Sequence, residues 1–229
     1  MPGIVELAWD STILGGKAGR LDDFKLTDSA LELTNFDFVH ARVPQSDVST
    51  IWRLEAAGFR FVTVDYALKK SATRTSADSR GFQVIRYCRE EPGVTIAGFE
   101  VQGSRFHIDP RLRSRIPTDF WDAMIRNHCR EFADFVIGAV DESGSLLACV
   151  TCFETADAID MFLVAVHPNH QGRGIGRELL VAVEAEAVSR GKILTTSVVS
   201  QNLGAMNFYL RNGFAFSEAF AVLHLVTEG

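Results

Sequence analysis

The sequence has no long apolar run, no excess of positive charge and few cysteines. Its longest apolar stretches, such as residues 161–166, are far shorter than the roughly 20 residues that span a bilayer. Lys and Arg number 23 against 29 Asp and Glu, so the net charge is −6, which disfavours nucleic acid and anionic membranes as partners. Four cysteines exclude a disulfide scaffold and predict free thiols in a reducing cytoplasm. The first residues lack the basic and apolar segments of a signal peptide, which agrees with a cytoplasmic protein.

The composition is that of a soluble globular protein with a substantial core. Hydrophobic residues make up 47% of the chain and charged residues 23%, and 229 residues suffice for one large or two unequal domains. Residues 69–81 are polar, rich in Ser and Thr and without an apolar period, which is typical of a linker. We therefore predict an N-terminal domain over residues 1–75 and a larger domain over residues 82–229.

The hydrophobic pattern beyond the linker predicts alternating strands and helices. Strands are predicted over residues 82–87, 135–140, 145–154, 159–167, 193–199 and 220–226, and helices over 92–99, 118–132, 174–190 and 204–212. The chain also repeats one pattern, because residues 39–68 align with residues 194–223 at an offset of 155. Both copies run strand, polar turn, short helix, Gly-Phe and strand. An α/β fold class is expected.

A glycine-rich turn lies between the predicted strand 159–167 and the strongest predicted helix. Glycines leave backbone N–H groups uncovered, and the positive end of the helix dipole follows directly, so the turn predicts an anion site suited to a pyrophosphate. Other nucleotide-binding motifs do not fit, since Arg177 and Glu178 stand where a P-loop needs Lys and Ser or Thr. The turn consists of Gln171, Gly172, Arg173, Gly174, Ile175 and Gly176.

These residues resemble the acyl-CoA signature of the GNAT superfamily of N-acetyltransferases, Gln/Arg-x-x-Gly-x-Gly/Ala. A second element of that superfamily, Asn-x-x-Ala-x-x-x-Tyr-x-x-x-Gly-Phe, is matched by Asn202, Ala205, Tyr209, Gly213 and Phe214. The resemblance covers about residues 82–226. It implies the GNAT acyl-CoA N-acyltransferase fold, with a mixed central sheet and flanking helices. The N-terminal domain resembles a partial GNAT domain without its own CoA turn.

The resemblance implies acetyl-CoA as co-substrate, with no metal, and assigns roles along the second domain. The backbone of Leu163, Val164 and Val166 would bind the pantetheine arm and hold the thioester oxygen as charge develops on it. The glycine turn would bind the pyrophosphate. Asn202 would bind the pantetheine, and Arg211 would reach the CoA phosphates.

Proton transfer requires an acid for the leaving thiolate and an acceptor for the proton of the amine. The resemblance gives the acid role to Tyr209, whose phenol suits a thiolate. The proton acceptor stays open between Glu154, Asp160 and His167. A helix contact for Tyr209 and a cap or turn role for Asn202 are the structural alternatives.

A zinc site is suggested by spacing and excluded by geometry. Cys149 and Cys152, followed by His167 and His170, have a finger-like spacing. Both cysteines fall inside one predicted strand, where positions three apart face opposite sides of the sheet. We therefore predict core cysteines and no metal site.

The acceptor is suggested by a diffuse resemblance to dTDP-fucosamine acetyltransferases. It is carried by the opening Trp9-Asp10 and by Ser104-Arg105-Phe106, and it implies a dTDP-4-amino-4,6-dideoxyhexose as acceptor. Arg105 and His107 are predicted to bind that acceptor, in a loop whose arginines could clasp a diphosphate. The N-terminal domain would wall the pocket or form a homodimer face. A protein or peptide acetyltransferase and a non-catalytic acyl-CoA-binding module remain alternatives. The other arginines of the loop are Arg111, Arg113 and Arg115.

Overall fold

The computed structural model describes residues 3–22, 33, 35–73, 83–87, 93–101 and 103–227. Its strands are β1 (Ile4–Glu6), β2 (Ala18–Leu21), β3 (Phe38–Pro44), β4 (Arg60–Lys70), β5 (Gln83–Tyr87), β6 (Phe135–Val140), β7 (Leu146–Glu154), β8 (Ala158–Val166), β9 (Ile193–Val199) and β10 (Ala215–Val226). Its α-helices are α1 (Ala8–Leu14), α2 (Val48–Ala56), α3 (Arg105–Ile108), α4 (Phe120–Asn127), α5 (Ile175–Ser189) and α6 (Leu203–Arg211). Most of the predicted linker, Cys88 and Pro92 lie outside these ranges.

The described strands form one sheet in the order β1-β2-β3-β10-β4-β9-β8-β7-β6-β5. Helices flank this mixed sheet, which confirms the predicted α/β class. The two halves of the chain exchange strands in its centre. β4, from the N-terminal half, lies between β10 and β9, and β10 lies between β3 and β4, with antiparallel pairing throughout.

The predicted repeat is confirmed as two equivalent units, β3-α2-β4 and β9-α6-β10. Asp47 caps α2 by accepting the N–H of the residue three positions on, and Asn202 caps α6 in the same way. Gly58 and Gly213 end the helices at φ 97° and 84°, a left-handed conformation that favours glycine. The strand exchange therefore relates two similar units.

Two layers of packing cover the sheet. On one face, α1 and α4 pack over a core that contains Cys149, and on the other, α5 and α6 pack over a core that contains Cys152. The two cysteines thus face opposite sides of β7, as predicted. No helix in the described ranges combines the length and the apolar composition that crossing a bilayer requires.

Three predicted boundaries differ from the structure. The helix predicted over residues 92–99 is wrong in its described part, because the backbone N–H groups of Gly98 and Phe99 both donate to the carboxylate of Asp122, each at 2.9 Å. Lys69 and Lys70, assigned to the linker, end β4, where Lys70 forms a buried ion pair with Glu184 of α5. β10 begins at residue 215, earlier than predicted, because it pairs with β4 along nearly its whole length.

Candidate active site

A gap opens between β8 and β9 near the middle of the sheet. The two strands pair in parallel from Ala158 with Ile193 to Met161 with Thr196, and no further pair follows. β8 nevertheless continues along β7 to Val166, and β9 continues along β4 to Val199. The described strands therefore diverge beyond Met161 and leave backbone groups without a strand partner.

The hydrogen bonds of β8 show which backbone groups face the gap. The N–H of His167 donates to the carbonyl of Leu147 in β7 at 2.9 Å. Because backbone groups point alternately to the two sides of a strand, the N–H groups of Val164 and Val166 point away from β7. The side chain of Gln171 donates to the Val166 carbonyl at 3.2 Å, which agrees with this direction. Leu163, in contrast, contributes a buried side chain to the core.

The glycine turn lies just beyond β8, after a 3₁₀ turn over Pro168–His170. Gly172 and Gly174 have φ values of 74° and 85°, and a Cβ on either would meet no atom within 4 Å. Gly174 is the N-cap of α5, so the first N–H groups of that helix are free of intrahelical partners. Arg173 is exposed in the same turn. The turn thus presents open backbone amides at the positive end of a helix of 15 residues.

A cavity of about 500 Å³ reaches the gap. Its lining includes Phe162, Leu163 and Val164 of β8, together with Tyr209 of α6 and Asn202, the N-cap of that helix. Phe162 is the extra residue of a β-bulge opposite β7, and bulges commonly re-aim side chains beside functional sites. Groups from the two faces of the sheet therefore meet in one cavity.

Tyr209 is almost fully buried, and it lines this cavity. Burial raises its pKa to about 12, and a hydrogen bond of 3.5 Å from the hydroxyl of Thr196 counteracts this rise. Thr196 is the last residue of β9 that pairs with β8, so the phenol lies where the gap begins. A phenol with this pKa keeps its proton at neutral pH and can donate it.

Asn202 and Arg211 occupy the two ends of α6. The Asn202 side-chain oxygen accepts the N–H of Ala205 at 3.0 Å, so it has the capping role that sequence analysis raised as an alternative. It also lines the cavity. Arg211 is exposed in the last turn of the helix. Roles for either residue in binding CoA stay predictions.

Only one of the three candidate proton acceptors lines the cavity. Glu154 is exposed and binds Arg190 and Lys192 at the far end of β8. The Nδ1 atom of His167 accepts the N–H of Asn169, outside the cavity lining. Asp160 lines the cavity, and burial raises the pKa of its carboxyl group, although a hydrogen bond of 2.8 Å from Thr195 opposes the rise.

The arginine-rich loop does not converge on the cavity. Arg105 lines it, but Arg111 binds the buried carboxylate of Asp109 through two nitrogens, and Arg113 donates to the carbonyl of His107. Arg115 is half-buried and does not line the cavity. The described geometry thus lacks the predicted arginine clasp for a diphosphate.

His107 also lies outside the cavity lining. Its Nδ1 atom is 2.6 Å from the hydroxyl of Ser104, and its ring stacks on Trp121 at a centroid distance of 5.5 Å. Burial lowers its pKa, and the charge of Arg113 contributes to the decrease. A direct role of His107 with the acceptor stays a prediction.

Sequence analysis missed the polar groups that the N-terminal half contributes to the cavity. Arg20 of β2, His40 and Arg42 of β3 and Asp65 of β4 all line it. The repeat was the available signal for this contribution, because its offset of 155 aligns Arg42 with Ser197 of β9. In the structure Arg42 donates a hydrogen bond of 3.4 Å to the hydroxyl of Ser197. The N-terminal half, which was predicted to wall the pocket, thus contributes charged groups to the cavity lining.

Comparison with known proteins identifies the fold. A GNAT protein from Sphaerobacter thermophilus is 19% identical with a TM-score of 0.53, covering 82% of this chain and 59% of its own. A tandem GNAT protein of the clavulanic acid biosynthesis pathway is 12% identical with a TM-score of 0.58, and the match covers 93% of this chain and 76% of that one. A GNAT protein from Kribbella flavida is 11% identical with a TM-score of 0.57, with coverages of 93% and 82%.

The family follows from a sequence model. No curated protein matched the chain. This chain spans less than two thirds of the Sphaerobacter protein, so that comparison concerns the fold. The model of the acetyltransferase (GNAT) family matches residues 84–214, which is more than half of the chain and includes both the gap and the glycine turn. The chain therefore belongs to the GNAT family of acetyltransferases.

Proposed function

We propose that this protein transfers the acetyl group of acetyl-CoA to the primary amine of a small molecule. The observation that carries the proposal is the gap between β8 and β9, which joins the cavity at one end and precedes the glycine turn at the other. GNAT acetyltransferases use acetyl-CoA as co-substrate. In this chain the open amides at Gly172, Gly174 and the start of α5 would bind its pyrophosphate, and the N–H groups of Val164 and Val166 its pantetheine arm.

Transfer requires the amine nitrogen to attack the thioester carbonyl and the carbon–sulfur bond to break. A backbone N–H in the gap would stabilise the negative charge that develops on the carbonyl oxygen. Tyr209 would donate its proton to the sulfur as the thiolate leaves. The pKa of a thiol in the same buried space also rises, which narrows the difference from the raised pKa of the phenol. The gap would thus bring together a proton donor and the backbone amides that stabilise negative charge.

Asp160 is the proposed acceptor of the proton that the amine loses. It lies one residue before the gap, and its raised pKa makes it a better proton acceptor than an exposed carboxylate. The nucleotide-sugar acceptor expected from sequence gains no support from the positions of Arg111, Arg113 and Arg115. The proposal therefore specifies a small-molecule amine, with the nucleotide sugar as one compound to test.

The proposal is tested by titrating acetyl-CoA in a calorimeter and measuring thiol release with amines, amino-sugar nucleotides and peptides. Tyr209→Phe keeps the ring and removes the acid, so kcat should fall by about 10²-fold while acetyl-CoA affinity stays within a factor of two. Release with peptides alone would favour a peptide acetyltransferase. Binding without turnover on any amine, together with an unaffected Tyr209→Phe variant, would favour a non-catalytic module.

A further inference from the structure

Every arginine that lines the cavity already has an aspartate partner. The shortest nitrogen–oxygen distances in these pairs are 2.6, 2.7 and 2.6 Å. The guanidinium of Arg42 also lies 3.4 Å from the ring centroid of Phe220. Among the described residues, the lining therefore offers no uncompensated positive charge to an anionic group. The pairs are Arg20–Asp22, Arg42–Asp65 and Arg105–Asp10.

Asp160 is an aspartate of the cavity lining that takes part in none of these ion pairs. Its carboxylate accepts a hydrogen bond from Thr195, and no Lys, Arg or His nitrogen of the described residues lies within 4.0 Å of it. Arg42 is near enough to lower the pKa of Asp160 slightly, but Asp65 raises it. The group of Asp65, Asp160 and Arg42 thus carries one net negative charge beside the gap. A protonated amine is the complement of this charge.

Part of the cavity lining is apolar and rich in aromatic rings. Phe132 and Phe162 belong to this part and are both 51% exposed, which is unusual for such large side chains. Each packs edge-on against Phe153, at 5.1 and 5.4 Å, so the rings have fixed orientations without being covered. Trp121 and Met124 of α4 also line the cavity. An apolar or aromatic body of the acceptor would bury these surfaces.

We infer that the acceptor is a primary amine with an apolar, preferably aromatic, body and without phosphate or carboxylate groups. The inference rests on the proposed function, since it assumes that the cavity receives the acceptor. Asp160 binds the ammonium group beside the gap, and Phe132 and Phe162 contact the body. Anionic acceptors, including a sugar nucleotide, are disfavoured because each anionic group would enter a cavity whose cations are already neutralised.

A matched set of ligands tests the inference on the wild-type protein with CoA bound. Phenylethylamine and phenylalanine have the same ring and amine, and phenylalanine adds one carboxylate. Because that carboxylate would lie near Asp160, phenylethylamine should bind about 30-fold more tightly, as measured by calorimetry. Propylamine, which lacks the ring, should bind at least about 10-fold more weakly than phenylethylamine. If phenylalanine or a dTDP-amino sugar binds as tightly as phenylethylamine, the inference is wrong.

Two variants identify the carboxylate. Asp160→Asn should weaken phenylethylamine by about 10- to 100-fold, because a hydrogen bond between charged groups is lost. Asp157→Asn removes a carboxylate from the exposed turn before β8, outside the cavity lining, and should change the affinity by less than a factor of two. Equal affinities for Asp160→Asn and the wild type would overturn the assignment. Should Asp160→Asn fail to fold, the wild-type ligand set still decides.

Failure of the inference is distinct from failure of the proposed function. If acetyl-CoA itself does not bind, the proposed function fails and the cavity has another purpose. If acetyl-CoA binds and an anionic amine is the preferred acceptor, the acetyltransferase function stands and the apolar, uncharged-body class of acceptor is wrong.

Discussion

Replacing Gly174 by Ala separates the conformational role of this glycine from its role in binding. At φ 85° an alanine is strained by about 1 kcal/mol, and its methyl group would point into space that is open in the structure. Gly174 is the N-cap of α5, and the free N–H groups at the start of this helix are proposed to bind the pyrophosphate. Displacing the phosphate from one or two amides would cost about 1.5–3 kcal/mol of binding energy, or roughly 10- to 100-fold in affinity.

Gly191 provides the matched control. It follows the other end of α5, about 22 Å away along the helix, has φ 64° and likewise has no atom within 4 Å of an added Cβ. Both variants should therefore lose about 1 kcal/mol of folding stability in urea denaturation. Only Gly174→Ala should weaken acetyl-CoA in calorimetric titrations. Equal acetyl-CoA affinities in the two variants would refute the proposed pyrophosphate site.

Two further predictions concern stability. Burial lowers the pKa of His128 to about 4 from a usual value of 6.5, so between these values the unfolded chain binds a proton that the folded chain does not. The contribution of His128 to the free energy of unfolding is therefore largest above pH 6.5 and should fall by about 3 kcal/mol as the pH decreases to 4. His128→Gln should remove that part of the decrease in urea titrations, and an unchanged pH dependence would contradict the assignment. Asp10→Ala leaves Arg105 without its partner and should cost about 3 kcal/mol, most of which Asp10→Ala combined with Arg105→Met should restore. Chemical denaturation of the two variants measures this, and a single variant as stable as the wild type would count against it.

Local features of the second half could be predicted from the sequence. The glycine turn, α5 and α6 are set by periodicity, caps and glycines within a few residues of one another, and the structure places them within one or two residues of the prediction. The repeat was also visible, because its Gly-Phe ends and polar turns recur at a constant offset.

Side-chain partners could not be predicted, because they come from distant parts of the chain. The sequence shows Arg105, but not that Asp10 neutralises it. It shows Arg111, but not that the buried Asp109 binds it away from the cavity. The cluster of arginines in the sequence therefore suggested a binding site for a diphosphate, whereas in the structure Arg105 and Arg111 form ion pairs with aspartates. Electrostatic complementarity depends on which charges are compensated, and only tertiary structure supplies that information.

The exchange of strands has a consequence for synthesis of the protein. β4 ends at Lys70, whereas both of its neighbours, β9 and β10, are synthesised only after residue 192. Until then β4 exposes two unpaired edges, which are prone to aggregate. β4 therefore cannot pair with both of its neighbours until β10 has been synthesised. We therefore expect this sheet to form only after β9 and β10 have been synthesised, and its folding to depend on protection of β4 during that delay.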